Sequence, residues 1–395
     1  MEILDKKLKN GVNLRILNSP SFASSKITVK FNAGYLSVPR EKNQIPHILE
    51  HIVWDYGNDM KLKFAEYGVW QNASTWDGQT SYWLECLPEY TDEMFSLILN
   101  KISSPEISLE KFEREIKNIE TELATERTEP QQLFFEKVKD EIFENIINEQ
   151  AKKETLKNIN FSEIVDFYDK FYKTDNARIF IYGNFDDQAI SKIINLIENW
   201  KLPRGEEFEI EKIRHKKTGL SKIKKDGENV YFQHLSHLGS FSMRQKVASG
   251  IIYRFLTHEE SGNAYKELRD KGLLYGIYSG FWELDDLSVV FEVNFSALDK
   301  NYRQVVLVLG KWISKLKAGD FSQEELDFLR IAYKNGWRMD NKDFSDKSDF
   351  LEGVFLLKDD FSEEDFLNEL DKVTKQDVVE LANLAFEHFD EGGWR

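Results

Sequence analysis

The chain opens with apolar and polar residues that alternate with the period of a β-strand. Two such runs flank the Asn10-Gly11 pair, which is the strongest short-range signal for a tight hairpin turn. A third run, with Ile27, Val29 and Phe31 on one face, continues the period of two. These positions predict a β-sheet built from the first segments of the chain.

Extended and helical patterns alternate along the rest of the chain. A helix is predicted around residues 46–53, and a long helical and charged region runs from 89 to about 149, followed by a helix at 187–200. Further strands are predicted at 81–87, 177–183, 230–235, 274–280 and 288–294. Helices then continue to the end, so the pattern predicts an α+β fold.

The second half repeats the order of signals in the first. Ser108 and Ser322 open helices 214 residues apart, and Ser162 and Thr374 open a second pair 212 residues apart. Residues 206–228 carry mixed charge and little periodicity, which is typical of a linker. We therefore predict two homologous domains, 1–205 and 229–395, joined by this segment.

Composition narrows the range of functions. A chain of 395 residues with 41% hydrophobic residues can form two ordered cores. The formal net charge of −16 argues against nonspecific nucleic-acid binding. One cysteine, Cys86, excludes an intrachain disulfide. Neither a signal-peptide layout nor an apolar run of transmembrane length occurs, so a cytoplasmic protein without membrane contact is expected.

The segment His47-Ile48-Leu49-Glu50-His51 carries the chemistry. Residues four apart share a helix face, so His47 and His51 could direct two ring nitrogens at one Zn²⁺. Glu50 lies at the edge of that face, where it could act as a general base on water. The order H-x-x-E-H is that of the inverted zinc peptidases. The alternative is a solvated helix rich in His and Glu that binds no metal.

A catalytic zinc site needs a third protein ligand and an open position. The best candidates lie in the run 113–120, where Glu113 and Glu120 are seven residues apart on one helix face. Glu122 and Glu126 stay open as alternatives for the third ligand.

These motifs resemble those of the pitrilysin family, the M16 metallopeptidases, whose members follow H-x-x-E-H with a helix that carries E-R-x-x-x-x-x-E. The resemblance implies that Glu120 is the third zinc ligand and that Glu113 is an outer carboxylate that orients the site. It also implies two related domains, each a mostly antiparallel sheet packed with helices, with one zinc ion per chain and the zinc motif absent from the second domain. One local departure is visible, because Asn43-Gln44-Ile45-Pro46 replaces a more typical glycine-containing approach to the first histidine.

Two further segments resemble family motifs that contact substrate. Asn72-Ala73-Ser74-Thr75 is similar to the N-A-x-T segment, where an extended peptide adds to a sheet edge through main-chain hydrogen bonds. The run 265–275 is similar to the L-R-x-x-x-G-L-x-Y signature, so Arg269 and Tyr275 inherit contacts near the scissile carbonyl.

The resemblance implies a zinc-dependent endopeptidase that cleaves peptides or unfolded segments in a chamber between two clam halves. This chain corresponds to one half, so the other half must come from another chain. A homodimer with two sites, in which Arg269 and Tyr275 act in trans, is the simplest hypothesis, and a heterodimer with a related chain is the second. The alternative function is that of a non-catalytic partner or peptide-binding subunit of a heterodimeric processing peptidase.

Overall fold

The fold is taken from a computed structural model that describes residues 1–125, 129–146, 148–357, 361–387, 389–390 and 393–394. Within these residues, no helix combines the length and the apolar character that crossing a bilayer requires.

Twelve strands and fifteen α-helices are found in the described part of the chain. The strands are β1 Glu2–Lys7, β2 Asn13–Asn18, β3 Ser25–Phe31, β4 Trp70–Thr75, β5 Thr80–Cys86, β6 Ala177–Gly183, β7 Gly219–Asp226, β8 Asn229–Ser240, β9 Ile277–Glu283, β10 Ser288–Leu298, β11 Phe389–Asp390 and β12 Gly393–Trp394. The helices are α1 Ile45–Trp54, α2 Gly57–Tyr67, α3 Thr91–Ser103, α4 Leu109–Thr125, α5 Pro130–Ile142, α6 Glu149–Thr155, α7 Phe161–Phe171, α8 Asp187–Glu198, α9 Met243–Leu256, α10 Asn263–Asp270, α11 Asp299–Ala318, α12 Gln323–Asp340, α13 Phe344–Leu357, α14 Glu363–Lys372 and α15 Lys375–Ala385.

The first sheet has six strands in the order β1-β2-β6-β3-β5-β4. Its pairs are antiparallel except for β2 and β6, which run parallel. Ile27, Val29 and Phe31 are fully buried, as their period of two predicts. β4 lies at one edge of this sheet.

The second sheet has four antiparallel strands in the order β7-β8-β10-β9. Apolar residues of α9, α11, α12 and α15 are buried together with those of this sheet in a second core. The α+β fold with two sheets packed against helices is therefore confirmed. The predicted strand at 274–280 begins instead at Ile277, because the residues before it form the turn that ends α10.

The chain forms two compact units, each assembled from three segments. The first contains Met1–Glu126, Glu149–Lys212 and Asp343–Asp359, and the second contains Arg127–Asn148, Ile213–Lys342 and Asp360–Arg395. The main change of unit, at 212, falls inside the predicted linker. Segments 127–148 and 343–359 each belong to the other unit from the residues on either side of them. The sequence pattern does not indicate this, because periodicity identifies a helix but not the core against which it packs.

Three helices of the two units end in the same kind of turn. Gly68 follows α2 directly, Gly272 follows α10 after Lys271, and Gly319 follows α11, with φ of 63°, 63° and 67°. The residue after each glycine donates its backbone N–H to the last helical turn, at 2.9, 3.0 and 2.8 Å. This is a common way for a helix to end.

Candidate metal centre

α1 carries the two histidines and is anchored in the first core. Pro46 occupies its first turn, where the missing N–H costs no hydrogen bond. Ile48, Leu49, Ile52 and Val53 are fully buried. The other face presents His47 and His51 side by side, with ring centroids 4.8 Å apart.

Glu122 of α4 lies next to both imidazole rings. Its Oε1 is 3.7 Å from His47 Nε2, and its Oε2 is 3.6 Å from His51 Nε2. One donor atom from each of the three residues lies within 4.8 Å of the others. Three potential metal ligands therefore converge on one point.

The placement of α4 distinguishes between its candidate carboxylates. Glu113 and Glu120 are exposed, whereas Glu115 is buried and Glu122 is half-buried. Glu115 and Glu122 are also seven residues apart, so they satisfy the same spacing two positions further along the helix. Glu126, the other alternative for the third ligand, lies outside the described residues.

The apolar positions of α4 do not select between the two acidic pairs. Phe112, Ile119 and Leu123 are its buried hydrophobic positions and set the face that turns towards the core. At about 100° per residue, Glu120 and Glu122 lie at similar angles on opposite sides of that face. The difference between the pairs depends on α1, whose histidines lie on the side of Glu115 and Glu122.

Glu115 contacts His51 at Nδ1, the ring nitrogen that does not face Glu122. Its Oε2 is 3.3 Å from His51 Nδ1, and it accepts hydrogen bonds of 2.8 Å from Arg114 Nε and from Asn118 Nδ2. Burial alone would raise the pKa of Glu115, but these bonds from Asn118, Arg114 and His51 outweigh burial and hold the pKa below its ordinary value. An ionised Glu115 accepts a hydrogen bond from Nδ1 of His51, so the lone pair of the ring is on Nε2.

His47 is more enclosed than His51. Its Nδ1 is 3.1 Å from Gln44 Oε1. Burial, with smaller contributions from the charges of His51 and Lys152, lowers the pKa of His47 to about 3. The ring is therefore neutral at physiological pH, which is the form that binds a metal ion.

Glu50 is held beside the histidines by β4. It is 7% exposed, and Thr75 Oγ1 donates a 2.7 Å hydrogen bond to its Oε2. Burial raises the pKa of Glu50 to about 7, with a contribution from Glu122 and with opposition from His51 and Thr75. A carboxyl with this pKa can both accept and return a proton near neutral pH.

The donor set fits a zinc ion. Two ligand atoms bound to zinc at about 2.1 Å in tetrahedral geometry lie about 3.4 Å apart, close to the 3.6 and 3.7 Å between Glu122 and the two histidines. Both Nδ1 atoms already have polar partners, so both Nε2 atoms are left to face Glu122. Two imidazoles and one carboxylate match the protein ligands of catalytic zinc centres.

β4 places the predicted substrate segment at a sheet edge. Asn72 and Ala73 lie in this strand, which pairs with β5 on one side only among the described strands. Ala73 shares a face of the strand with Thr75, which bonds Glu50, whereas Asn72 points to the opposite face. An edge next to the candidate base is the geometry that β-addition of a peptide requires.

Arg269 and Tyr275 lie in the second unit and contact each other. The Arg269 guanidinium donates a 3.2 Å hydrogen bond to the Tyr275 carbonyl and lies 4.7 Å from the centre of its ring. The Tyr275 residue is 86% exposed. The pair is therefore available for contact with a substrate or another chain.

Three supporting residues cannot be assigned from the sequence. Thr75 belongs to the predicted substrate segment, and spacing does not indicate that its hydroxyl bonds the candidate base. Glu115 is one of several acidic residues of α4, and only the position of α1 shows that it contacts His51. Gln44 is marked only by its place in the unusual segment before His47.

Two imidazoles and a carboxylate around one point, with a buried carboxyl beside them, define the class of an H-x-x-E-H metallohydrolase. Residues 15–157 match the family model described as Insulinase (Peptidase family M16), and residues 158–333 match the one described as Peptidase M16 inactive domain. The chain belongs to the M16 peptidase family. The second match agrees with the absence of the zinc motif from the second half.

Relatives cover nearly the whole chain. A protein of Rickettsia bellii described as an uncharacterized zinc protease is 23% identical over 96% of this chain and 94% of its own length. A protease structure from Helicobacter pylori has a TM-score of 0.81 and 19% identity over 97% of this chain and 96% of that one. A chain of complex III2 from Candida albicans has a TM-score of 0.77 and 15% identity over 97% and 93%. These structures share the fold.

Proposed function

We propose that the protein is a zinc-dependent endopeptidase that binds one Zn²⁺ per chain through His47, His51 and Glu122. The observation that carries this proposal is the convergence of both Nε2 atoms and the Glu122 carboxylate, with Glu50 alongside. The full-length relatives named zinc proteases support it.

A zinc ion held by His47, His51 and Glu122 would supply Lewis acidity for polarising a carbonyl and activating water. Glu50 removes a proton from the attacking water and then returns it to the leaving amine. Thr75 orients the Glu50 carboxylate through its hydroxyl. Glu115 holds the His51 imidazole with Nε2 directed at Glu122.

The substrate in this proposal is an extended peptide or unfolded segment. It adds to the edge of β4, the strand that contains Asn72 and Ala73, through main-chain hydrogen bonds. Main-chain recognition accepts varied sequences, so an enclosed chamber between two clam halves would select by size and shape. A folded protein without an extended segment would not fit.

Removing the metal tests this function. We expect the zinc-loaded protein to cleave members of a mixed peptide library, and a strong chelator to stop cleavage because the ligand set no longer holds its ion. Mass spectrometry of the products is the measurement, and added zinc should restore the activity. A zinc-loaded protein that cleaves no member would favour the alternative of a non-catalytic partner subunit.

We further propose a homodimer in which Arg269 and Tyr275 of one chain complete the site of the other, with a heterodimer as the second hypothesis. The supporting observation is that the exposed pair lies in the second unit, whereas the metal ligands lie in the first.

Mixing two inactive variants tests the sharing of sites. After Glu50→Gln and Arg269→Ala chains are mixed and allowed to exchange, half of the dimers should be mixed, and each mixed dimer has one intact site. We therefore expect about a quarter of wild-type activity, because only shared sites allow complementation. No recovery in a mixture shown by light scattering to contain dimers would contradict action in trans, and a strict monomer would contradict the dimer.

A further inference from the structure

Gln44 is a fully buried amide at the start of α1. It is 0% exposed, and its neighbour Asn43 is 2% exposed. Gln44 occupies the N-cap position, but its side chain makes no capping hydrogen bond there. Helix capping therefore does not explain why a polar side chain is buried at this position, where desolvation costs free energy unless its polar atoms find partners.

The side chain of Gln44 links His47 to a second buried amide. Its Oε1 is 3.1 Å from His47 Nδ1, and its Nε2 is 3.4 Å from Asn43 Oδ1. Thr155 Oγ1, from α6, is 2.8 Å from the same Asn43 oxygen. A chain of polar contacts thus runs from Thr155 through both amides to the imidazole.

The orientation of the Gln44 amide determines the tautomer of His47. In the structure its Nε2 faces Asn43 Oδ1 and its Oε1 faces the ring. A carbonyl oxygen can only accept, so Nδ1 of His47 carries the proton and Nε2 keeps its lone pair. The lone pair then lies on the side of Glu122.

The two histidines have different supports. His51 is held by the carboxylate of Glu115, whereas His47 is held by a neutral amide. Glu50, Glu115 and Glu122 already place three carboxyl groups around the rings. A neutral acceptor at position 44 orients His47 without adding another buried negative charge.

We propose that Gln44 is a positioning residue: its side-chain carbonyl holds His47 in the tautomer with a free Nε2, and Asn43 and Thr155 hold the amide in place. The inference rests on the proposed function, because it takes His47 as a zinc ligand. Outer partners of this kind typically change metal affinity by about 10- to 100-fold.

The test compares two substitutions of Gln44. Gln44→Leu removes the acceptor at similar size, and we expect zinc, measured by competition with a chromophoric chelator, to bind about 10- to 100-fold more weakly. Gln44→Glu keeps an acceptor, so its zinc affinity should stay within about threefold of wild type or increase. Gln233→Leu is the matched control, because Gln233 is a fully buried amide of the second unit, and its zinc affinity should not change.

A second readout is independent of metal. In zinc-free protein labelled with ¹⁵N-histidine, NMR should show His47 with its proton on Nδ1 in the wild type and a mixture of tautomers in Gln44→Leu. A merely structural role would leave this signature unchanged.

Two results would overturn the proposal. One is a folded Gln44→Leu variant with wild-type zinc affinity and the wild-type His47 tautomer. The other is an equal loss of zinc affinity in Gln44→Leu and Gln44→Glu. If Gln44→Leu does not fold, Thr155→Val decides: it should weaken zinc binding a few-fold while Thr155→Ser does not, and unchanged affinity in Thr155→Val contradicts the chain of contacts. A wild-type protein that binds no zinc would instead refute the proposed function itself.

Discussion

Replacing Glu50 by Gln is expected to lower peptide cleavage by about 10²- to 10⁴-fold, the usual contribution of a general base. The carboxylate is buried against the two histidines, and its pKa of about 7 lets it exchange a proton at neutral pH. Glutamine has nearly the same shape and can still accept the hydrogen bond from Thr75. It cannot take a proton from water.

Zinc content separates this effect from loss of the metal. We expect Glu50→Gln to bind zinc with an affinity within a few-fold of wild type, because Glu50 is not among the three converging ligands. Glu113→Gln is the control, since Glu113 is exposed on α4, and it should keep full activity. A Glu50→Gln variant that retains more than about a tenth of the wild-type rate would be inconsistent with a general base at this position.

A pair of substitutions two residues apart on α4 should differ most strongly in zinc binding. Glu122→Gln removes a charged ligand whose oxygens lie 3.6 and 3.7 Å from the histidine nitrogens. We expect its zinc affinity to fall by more than about 100-fold, beyond the range typical of outer partners. Glu120→Gln changes an exposed side chain, so its zinc affinity should stay within about twofold of wild type.

Competitive zinc titration of the two variants measures this difference, and circular dichroism checks that α4 is intact in both. The two glutamates share a helix, a charge and the substitution, so each controls for the other. Equal losses, or a larger loss in Glu120→Gln, would contradict Glu122 as the third ligand and favour Glu120, which the family spacing indicates.

The sequence predicted most elements of the fold because their signals are local. The Asn10-Gly11 turn and the alternation through Ile27, Val29 and Phe31 identify strands without reference to distant residues. The segment 343–359 is different. Its helix α13 contains Glu352 and Phe355. Glu352 forms an ion pair with Lys26 at 2.6 Å, and the centre of the Phe355 ring lies 4.9 Å from the Arg15 guanidinium. In each pair the two residues are more than 300 positions apart in the chain. Local periodicity cannot report such a pairing.

The candidate site was predicted in part for a similar reason. His47, Glu50 and His51 fall within five residues, so a single helical turn places them together. The third carboxylate depends on the rotation of a separate helix, and two acidic pairs with the same spacing compete for that place. The structure brings Glu122, and not Glu120, next to both imidazole rings. The contact of Glu50 with Thr75 requires β4 to lie beside α1 and has no signal in spacing.

Anomalous diffraction from zinc-loaded crystals shows whether His47, His51 and Glu122 hold a zinc ion. We expect one strong anomalous peak per chain, about 2.1 Å from His47 Nε2, from His51 Nε2 and from a Glu122 carboxylate oxygen. A peak coordinated by Glu120 instead of Glu122, or no peak near the two histidines in zinc-loaded protein, would contradict this ligand assignment.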